Sequence, residues 1–373
     1  MPEFFDKNKV LYVANSLVAN AGAERRSLEQ ICFLKDRGLS VEICVLRALG
    51  PMADKYREQK IRIHFHKVYE AGENQRLHFS FFKFLKFYLF LLKQRHGIII
   101  GIQPPAHYLV RFACFPPLGR KIYAMERGNT FLRKKKYFFW DRFCSLWTTR
   151  IICISKLVCD GLIETSGIKP GKVNVIEQGY KKGKNENLPE NLNDHLYGNI
   201  VFGCVAMFIP SKRQDILIRA FKPINDKYPK TRLVLIGSGN SEHDLRLLVN
   251  NLRLDNKIIF TGNVENPHSY YPFFDVFVFP SILEGMGGVY VEAWLHHLAV
   301  ICADIRPMND YVIHMKNGIL FTPDSVCDLS KWMRFLIDNP TVRKQLGKEG
   351  NKTAKTVFDY KKQMNRLYHL ITD

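Results

Sequence analysis

Short apolar runs alternate along this chain with longer stretches in which apolar residues return every three or four positions. Val10-Leu11-Tyr12-Val13-Ala14 is the first run. Consecutive apolar residues without polar alternation suit a strand covered on both faces of a parallel sheet. A loop holding Gly22 follows, then Ala23 to Arg37 with helical spacing and Gly38 at its end, and Val41 to Leu46 gives the next strand. The order repeats through Ile98 to Ile102, Lys121 to Ala124, Ile151 to Ile154 and Val173 to Ile176. Residues 180–199 break it, being charged, polar and poor in apolar side chains. The pattern then restarts with strands predicted at Ile200 to Met207, Arg232 to Ile236, Lys257 to Thr261, Asp275 to Phe279 and Ala299 to Ala303.

Alternation of this kind predicts a doubly wound α/β sheet, and its restart predicts two of them in tandem with a crevice between. The expected division is a first domain over 1–182, a linker over 183–199 and a second domain over 200–357. A closing helix over 358–373 is free to pack back on the first domain, although nothing in its sequence requires this.

Composition narrows the class. The 373 residues are 46% hydrophobic and 24% charged, as in a soluble globular protein of two ordinary domains. A formal charge of +20 implies a partner of negative charge: anionic lipid, nucleic acid or a phosphorylated substrate. Nine cysteines show no CxxC pair and no Cys/His cluster at zinc spacing, and five of them (Cys32, Cys44, Cys153, Cys204, Cys302) lie in apolar runs, so they read as buried thiols of a reducing compartment. The opening residues carry acids and lead into a short strand, which predicts no signal peptide. No uninterrupted apolar run reaches the roughly 18 residues needed to span a bilayer.

The most informative segment is Phe279-Pro-Ser-Ile-Leu-Glu-Gly-Met-Gly-Gly-Val-Tyr-Val-Glu292, which sets Glu284 and Glu292 around three glycines directly after a strand. Ligands of parallel sheets sit at the carboxyl ends of strands. Gly285, Gly287 and Gly288 leave no Cβ there, so backbone comes close to a ligand around Met286. A helix beginning near Gly288 or Val289 turns free N–H groups toward a phosphate. Glu292, about one turn into that helix, accepts two hydrogen bonds from a ribose diol, and Glu284 falls nearer a transferred sugar. Upstream, Gly237-Ser238-Gly239 follows a strand and lets backbone approach a base or ribose, with Ser238 able to hydrogen-bond. It is neither a GxGxxG nor a P-loop. Gly22 gives the first domain a similarly bare loop, for the diphosphate. The competing reading is an ordinary turn with solvated acids.

These segments together resemble glycosyltransferase family 4, whose members are retaining, metal-independent, nucleotide-sugar-dependent enzymes of GT-B fold, two Rossmann-like domains facing each other across a cleft. The resemblance is strong over 200–357 and looser before it. The glutamate pair carries it most specifically. Ala206 to Phe221 is similar to the family stretch after the first donor-domain strand, Arg232 to Gly239 to its glycine turn, Ile258 to Gly262 to the strand beyond, and Asn20-Ala21-Gly22-Ala23-Glu24-Arg25 to its Gly-Gly-Ala-Glu loop.

The resemblance implies roles. Lys212 stabilises the charge that grows on the departing nucleoside diphosphate. The family's arginine five residues earlier is Met207 here, and adjacent Arg213 is the candidate replacement. Arg127 stands where the family often has a histidine touching the donor sugar; it cannot act as a base, so it is expected to bind acceptor or phosphate, with Glu126 as the alternative polar group. No Asp-x-Asp pair follows a strand, and no metal or other cofactor is expected; the nucleotide sugar, UDP- or GDP-linked, enters as substrate. The acceptor implied is a hydroxyl of a glycolipid or surface polysaccharide. Related alternatives are a nucleotide-sugar epimerase or sugar phosphorylase of the same architecture, or a non-catalytic nucleotide- or polyanion-binding member.

Two basic aromatic segments of the first domain extend the picture. His78 to Arg95 is rich in Phe and Leu yet carries Lys83, Lys86 and Lys93, and Phe131 to Arg142 joins Arg133-Lys134-Lys135-Lys136 to aromatics. Each is suited to lie on an anionic membrane surface, giving a cytoplasmic protein peripheral to the inner face. A core helix and a solvated charge run are the plainer readings. No nucleic-acid-binding motif accompanies the charge, and none is expected as a partner.

Overall fold

In a computed structural model the chain is described over residues 5–18, 22–71, 77–183 and 196–373. Asn20 and Ala21, and most of the expected linker (184–195), lie outside the described residues. The chain parts into two compact units, 1–177 with 363–373, and 178–362.

In the first unit, β1 (Asp6–Leu17), α1 (Gly22–Asp36), β2 (Ser40–Leu49), α2 (Pro51–Glu58) and β3 (Ile63–Phe65) lead into a small hairpin, β4 (Tyr69–Ala71) and β5 (Leu77–Phe79). Then come α3 (Phe81–Lys93), β6 (His96–Ile102), α4 (Ala106–Ala113), β7 (Lys121–Glu126), α5 (Lys136–Ser145), β8 (Arg150–Cys153), α6 (Lys156–Ser166) and β9 (Val173–Val175). The sheet runs β3-β2-β1-β6-β7-β8-β9, every pair parallel. Strand residues alternate between two cores, as the pleat demands. Val10, Tyr12, Ile98 and Ile100 face one, which also takes Leu367 and Ile371 from the last helix. Leu11, Val13, Ile99 and Ile122 face the other, with Phe87 and Leu91 of α3 and Val110 of α4.

The second unit contains β10 (Ile200–Val205), α7 (Gln214–Lys227), β11 (Thr231–Ile236), α8 (Glu242–Asn251), β12 (Ile258–Gly262), β13 (Val276–Phe279), α9 (Val289–Leu295), β14 (Ala299–Ala303), β15 (Ile319–Phe321), α10 (Val326–Asp338) and α11 (Pro340–Val357). Its sheet order is β12-β11-β10-β13-β14-β15, again all parallel. Tyr180 belongs here: its N–H bonds the Phe358 carbonyl at 2.8 Å and its ring meets Phe358. The closing helix α12 (Tyr360–Thr372) starts in this unit and continues in the first.

Both orders run outward from the first strand in one direction and then resume on its other side. The reversal creates a crevice outside the carboxyl ends of β1 and β6 in one unit, and of β10 and β13 in the other. All the strands expected from the apolar runs form, with ends moved by a few residues. Three-residue β3 and β15 and the hairpin are additions. The hairpin corrects the expected start of the aromatic helix, because Phe79 pairs with Tyr69 in β5 and Ser80, whose Oγ accepts from Lys83 N, caps α3 only from Phe81.

Candidate active site

The crevice of the second unit is made where the loop after β10 meets the loop after β13. Ile282 N–H bonds the Ser211 carbonyl at 2.9 Å, and Ser281 Oγ reaches the same oxygen at 3.2 Å. This junction brings Lys212 Nζ to 2.5 Å from Glu284 Oε1, an ion pair with both side chains largely shielded, at 14% and 11% exposed. Phe279, the last residue of β13, lies beneath, its ring centre 5.9 Å from the ammonium. An ammonium and a carboxylate paired at a strand-end crevice form a charged site that a ligand phosphate and a sugar hydroxyl can each enter by exchange.

The glycines around this pair are explained in part by packing. A Cβ on Gly287, whose φ is +73°, would lie 2.9 Å from the Phe279 ring and 3.4 Å from the Glu284 stem, so the bare backbone lets the loop close over the carboxylate. One on Gly288 would collide with the Tyr180 hydroxyl at 1.9 Å. Met286 is buried and Gly285 half-buried. The helix that follows, α9, has only seven residues, with Gly288 at its N-cap and no side chain capping it. So short a helix supplies little dipole.

Glu292 lies on α9 and is 3% exposed. The hydroxyl of Tyr271 donates to its Oε2 at 3.2 Å. Tyr271, fully buried, stacks on His296 with ring centres 5.1 Å apart, and His296 Nε2 lies 3.2 Å from His268 Nδ1. Burial, then the neighbouring His268 and Lys182, hold His296 down to a pKa of about 4. The ring cluster was not anticipated from the sequence. Its only signal is the aromatic run Tyr270-Tyr271-Pro272-Phe273-Phe274 ahead of β13.

Gly237, Ser238 and Gly239 form the turn after β11, and here closeness to neighbouring backbone dictates glycine. A Cβ on Gly237 would come within 2.0 Å of the Ala206 carbonyl oxygen, and one on Gly239 within 2.4 Å of that of Phe208. The Ser238 carbonyl accepts from Phe208 N–H at 2.9 Å, bracing the loop that carries Lys212. Arg213 is not brought to Glu284. Its guanidinium lies 2.7 Å from Asp324 and 3.5 Å from Asp215, two acids that balance its charge. Met207 is exposed.

In the first unit the matching crevice is a cavity of about 150 Å³ lined by Asn15, Ser16, Glu24, Tyr56, Gln103 and Arg127, among others. Asn15 shapes it, its side chain donating to the Pro104 carbonyl and accepting from Ala106 N–H, both at 3.0 Å. Arg127 is buried, with Nη2 donating to Gln30 Oε1 at 3.1 Å and 3.2 Å from Met125 Sδ. Gly22 opens α1 and has open space where a Cβ would stand, so packing within the unit does not require glycine there.

Glu126 is turned inward and is corrected from a substrate-facing alternative to a structural group. Its carboxylate lies 2.7 Å from Arg133 Nη2 and 2.7 Å from His107 Nε2. Arg111 Nη2 donates to His107 Nδ1 at 2.7 Å, so the proton of a neutral His107 sits on Nε2 and points at Glu126. Burial alone would raise the Glu126 pKa, but His107 and Arg133 hold it down to about 2. Arg133 also binds Asp141 at 2.6 Å. Among the described residues no group of three or more His, Cys, Asp and Glu is arranged to hold a metal ion.

Comparison with known proteins accords with this geometry. Residues 20–181 match the family model described as Glycosyltransferase Family 4, and residues 192–353 match Glycosyl transferases group 1. The chain belongs to glycosyltransferase family 4. Among relatives of this glycosyltransferase, the capsular polysaccharide biosynthesis glycosyltransferase CapM of Staphylococcus aureus is 27% identical over 74% of this chain and 76% of its own. The UDP-Gal:alpha-D-GlcNAc-diphosphoundecaprenol alpha-1,3-galactosyltransferase of Escherichia coli is 24% identical over 80% of each. Among solved structures, Anabaena HepE in complex with UDP and glucose superposes with a TM-score of 0.83 at 18% identity, covering 98% of this chain and 99% of that one. The fold is GT-B, built from two Rossmann-like units.

Proposed function

We propose that this glycosyltransferase moves a sugar from a UDP- or GDP-linked donor to a hydroxyl of a lipid-linked or polysaccharide acceptor, with retention at the anomeric carbon and without a metal. The observation that carries the reading is the shielded Lys212–Glu284 pair at the switch point of the second sheet, with the buried Glu292 on the helix that follows. Glu292 takes the ribose diol of the donor. Lys212 leaves Glu284 for the diphosphate and stabilises the negative charge that develops as the sugar–phosphate bond breaks. Glu284, released, accepts hydrogen bonds from the sugar. The acceptor oxygen forms its bond to the anomeric carbon on the face the phosphate leaves, and the departing phosphate oxygen takes the acceptor's proton, so no protein base is used. Arg127, in the small cavity of the first unit, holds acceptor or phosphate.

The donor class is supported by neighbours crystallised with UDP or UDP-glucose, and the acceptor class by relatives whose names specify diphosphoundecaprenol-linked sugars. Acceptors of that kind favour an enzyme that works at the inner face of a membrane. Among the described residues no helix is long and apolar enough to cross one.

The test is calorimetric titration with UDP, GDP and ADP, then incubation of the bound nucleotide's sugars with polyprenyl-diphosphate oligosaccharides and assignment of the product anomer by NMR. Transfer with retained configuration, unaffected by EDTA, is expected. Donor isomerisation without an acceptor would identify an epimerase instead, and reversible loss of activity in chelator would remove the metal-independent scheme.

A further inference from the structure

The first unit carries apolar surface that its own cores do not use. α3 has two opposed stripes: Phe87 and Leu91 point into the core, while Phe82, Leu85, Leu89 and Leu92, spaced three or four residues apart, are exposed, Phe82 by 78%. Lys86 and Lys93 are exposed on the same helix. A second patch spans α4 and α5, where rings touch in series: Phe112 with Trp140 at 5.3 Å, Trp140 with Phe143 at 6.2 Å, Phe143 with Trp147 at 5.1 Å and Trp147 with Phe115 at 4.7 Å. Phe139 and Leu146 stand out from this series, 65% and 72% exposed. The patches are tied together by Arg120, which donates to the carbonyls of Leu91 and Gln94 at 2.7 and 2.6 Å and so fixes the end of α3 beside the loop bearing Phe115.

Charge completes the surface. Between Arg127 and Cys159 the sole acid is Asp141, and it is buried and ion-paired with Arg133 and Arg111. The exposed Lys134 and Lys135 therefore face solvent beside the rings with no neighbouring carboxylate in that segment. Exposed apolar side chains gathered on neighbouring helices in this way mark an interaction site. Two copies meeting through the same face would bring lysine against lysine, and a nucleic acid would satisfy the lysines but leave the leucines wet.

We propose that this face of the first unit docks on a lipid bilayer bearing anionic headgroups, the phenylalanines, leucines and Trp140 entering the interface and the lysines pairing with phosphates. The face shares no residue with the Lys212 site, and attachment through it is reversible, since among the described residues no helix is long and apolar enough to cross a membrane.

Flotation of the full chain with vesicles of phosphatidylglycerol and phosphatidylcholine, against phosphatidylcholine alone, tests it. Binding to the anionic vesicles only, weakening as salt is raised, with a blue shift of tryptophan emission that Trp140→Phe diminishes, is the expected result. The variant Phe82→Ser/Leu89→Ser/Phe139→Ser/Leu146→Ser is expected to lose about tenfold or more in bound fraction, with thermal melting and nucleotide titration unchanged. Failure to float, equal flotation of the variant, conversion of a lipid-free dimer to monomer by the variant, or tight oligonucleotide binding that vesicles do not displace would each overturn the proposal.

Discussion

Tyr271 holds Glu292: its hydroxyl donates to the carboxylate at 3.2 Å from a fully buried ring that His268 and His296 pack against. One carboxylate oxygen is thereby fixed in direction before any ligand arrives. Replacing Tyr271 by Phe removes only the hydroxyl. A hydrogen bond to a charged group is worth about 1.5–3 kcal/mol, so donor KM is expected to rise roughly tenfold while kcat stays within about twofold. A fall in kcat with KM unchanged would detach Glu292 from donor binding.

Lys212 and Glu284 share one ion pair but are expected to fail differently. Lys212→Ala removes the cation proposed to meet the leaving diphosphate and should lower kcat by about a hundredfold or more, on the scale of losing one oxyanion donor. Glu284→Ala should lower kcat with nucleotide affinity kept or improved, since Lys212 is then released to the phosphate. Stopped-flow turnover combined with UDP calorimetry separates them; equal, wild-type turnover in both variants would remove the pair from the chemistry.

Gly237 is under strain from any side chain. With φ at +141° and a Cβ only 2.0 Å from the Ala206 carbonyl, Gly237→Ala is expected to cost about 2–4 kcal/mol in urea unfolding. The displaced loop also bears Lys212, so activity should fall further than stability alone explains. An alanine variant unfolding at the wild-type midpoint would contradict the packing.

Acid should weaken both units. His296 titrates near 6.5 when unfolded and about 4 when folded, the folded value lowered first by burial and then by His268. As pH falls from 6.5 the unfolded chain takes up a proton that the folded one refuses, so stability declines until about pH 4 and then levels. His96, lowered by burial to about 4, adds the same slope to the first unit. Urea midpoints across this range should fall with pH, and His296→Gln should flatten the part due to the second unit; a midpoint independent of pH between 7 and 4 would sink the assignment.

Much of this was legible in the chain because parallel strands buried on both faces leave uninterrupted apolar runs, as Val10–Ala14 and Val276–Phe279 do. The Lys212–Glu284 meeting was readable only as two separate motifs, because their contact depends on β10 and β13 being neighbours, a crossover that local pattern does not encode. Tyr271 stayed hidden for the same reason: a tyrosine in an aromatic run looks like core until its hydroxyl is seen to find a carboxylate. Residue type alone also misplaced Arg213 and Glu126, whose charges are engaged by Asp324 and by Arg133. For α3, sequence suggested core or membrane as rivals, and the helix has room for both on opposite sides.

Leu367 and Ile371 belong to the core of the unit that the ribosome makes first. That unit lacks both of these core side chains until some two hundred later residues have been synthesised, so the half that emerges earliest is sealed last. During translation its unfinished face stays open, and a nonsense change near residue 363 would damage the amino-terminal unit while leaving the carboxyl-terminal sheet complete.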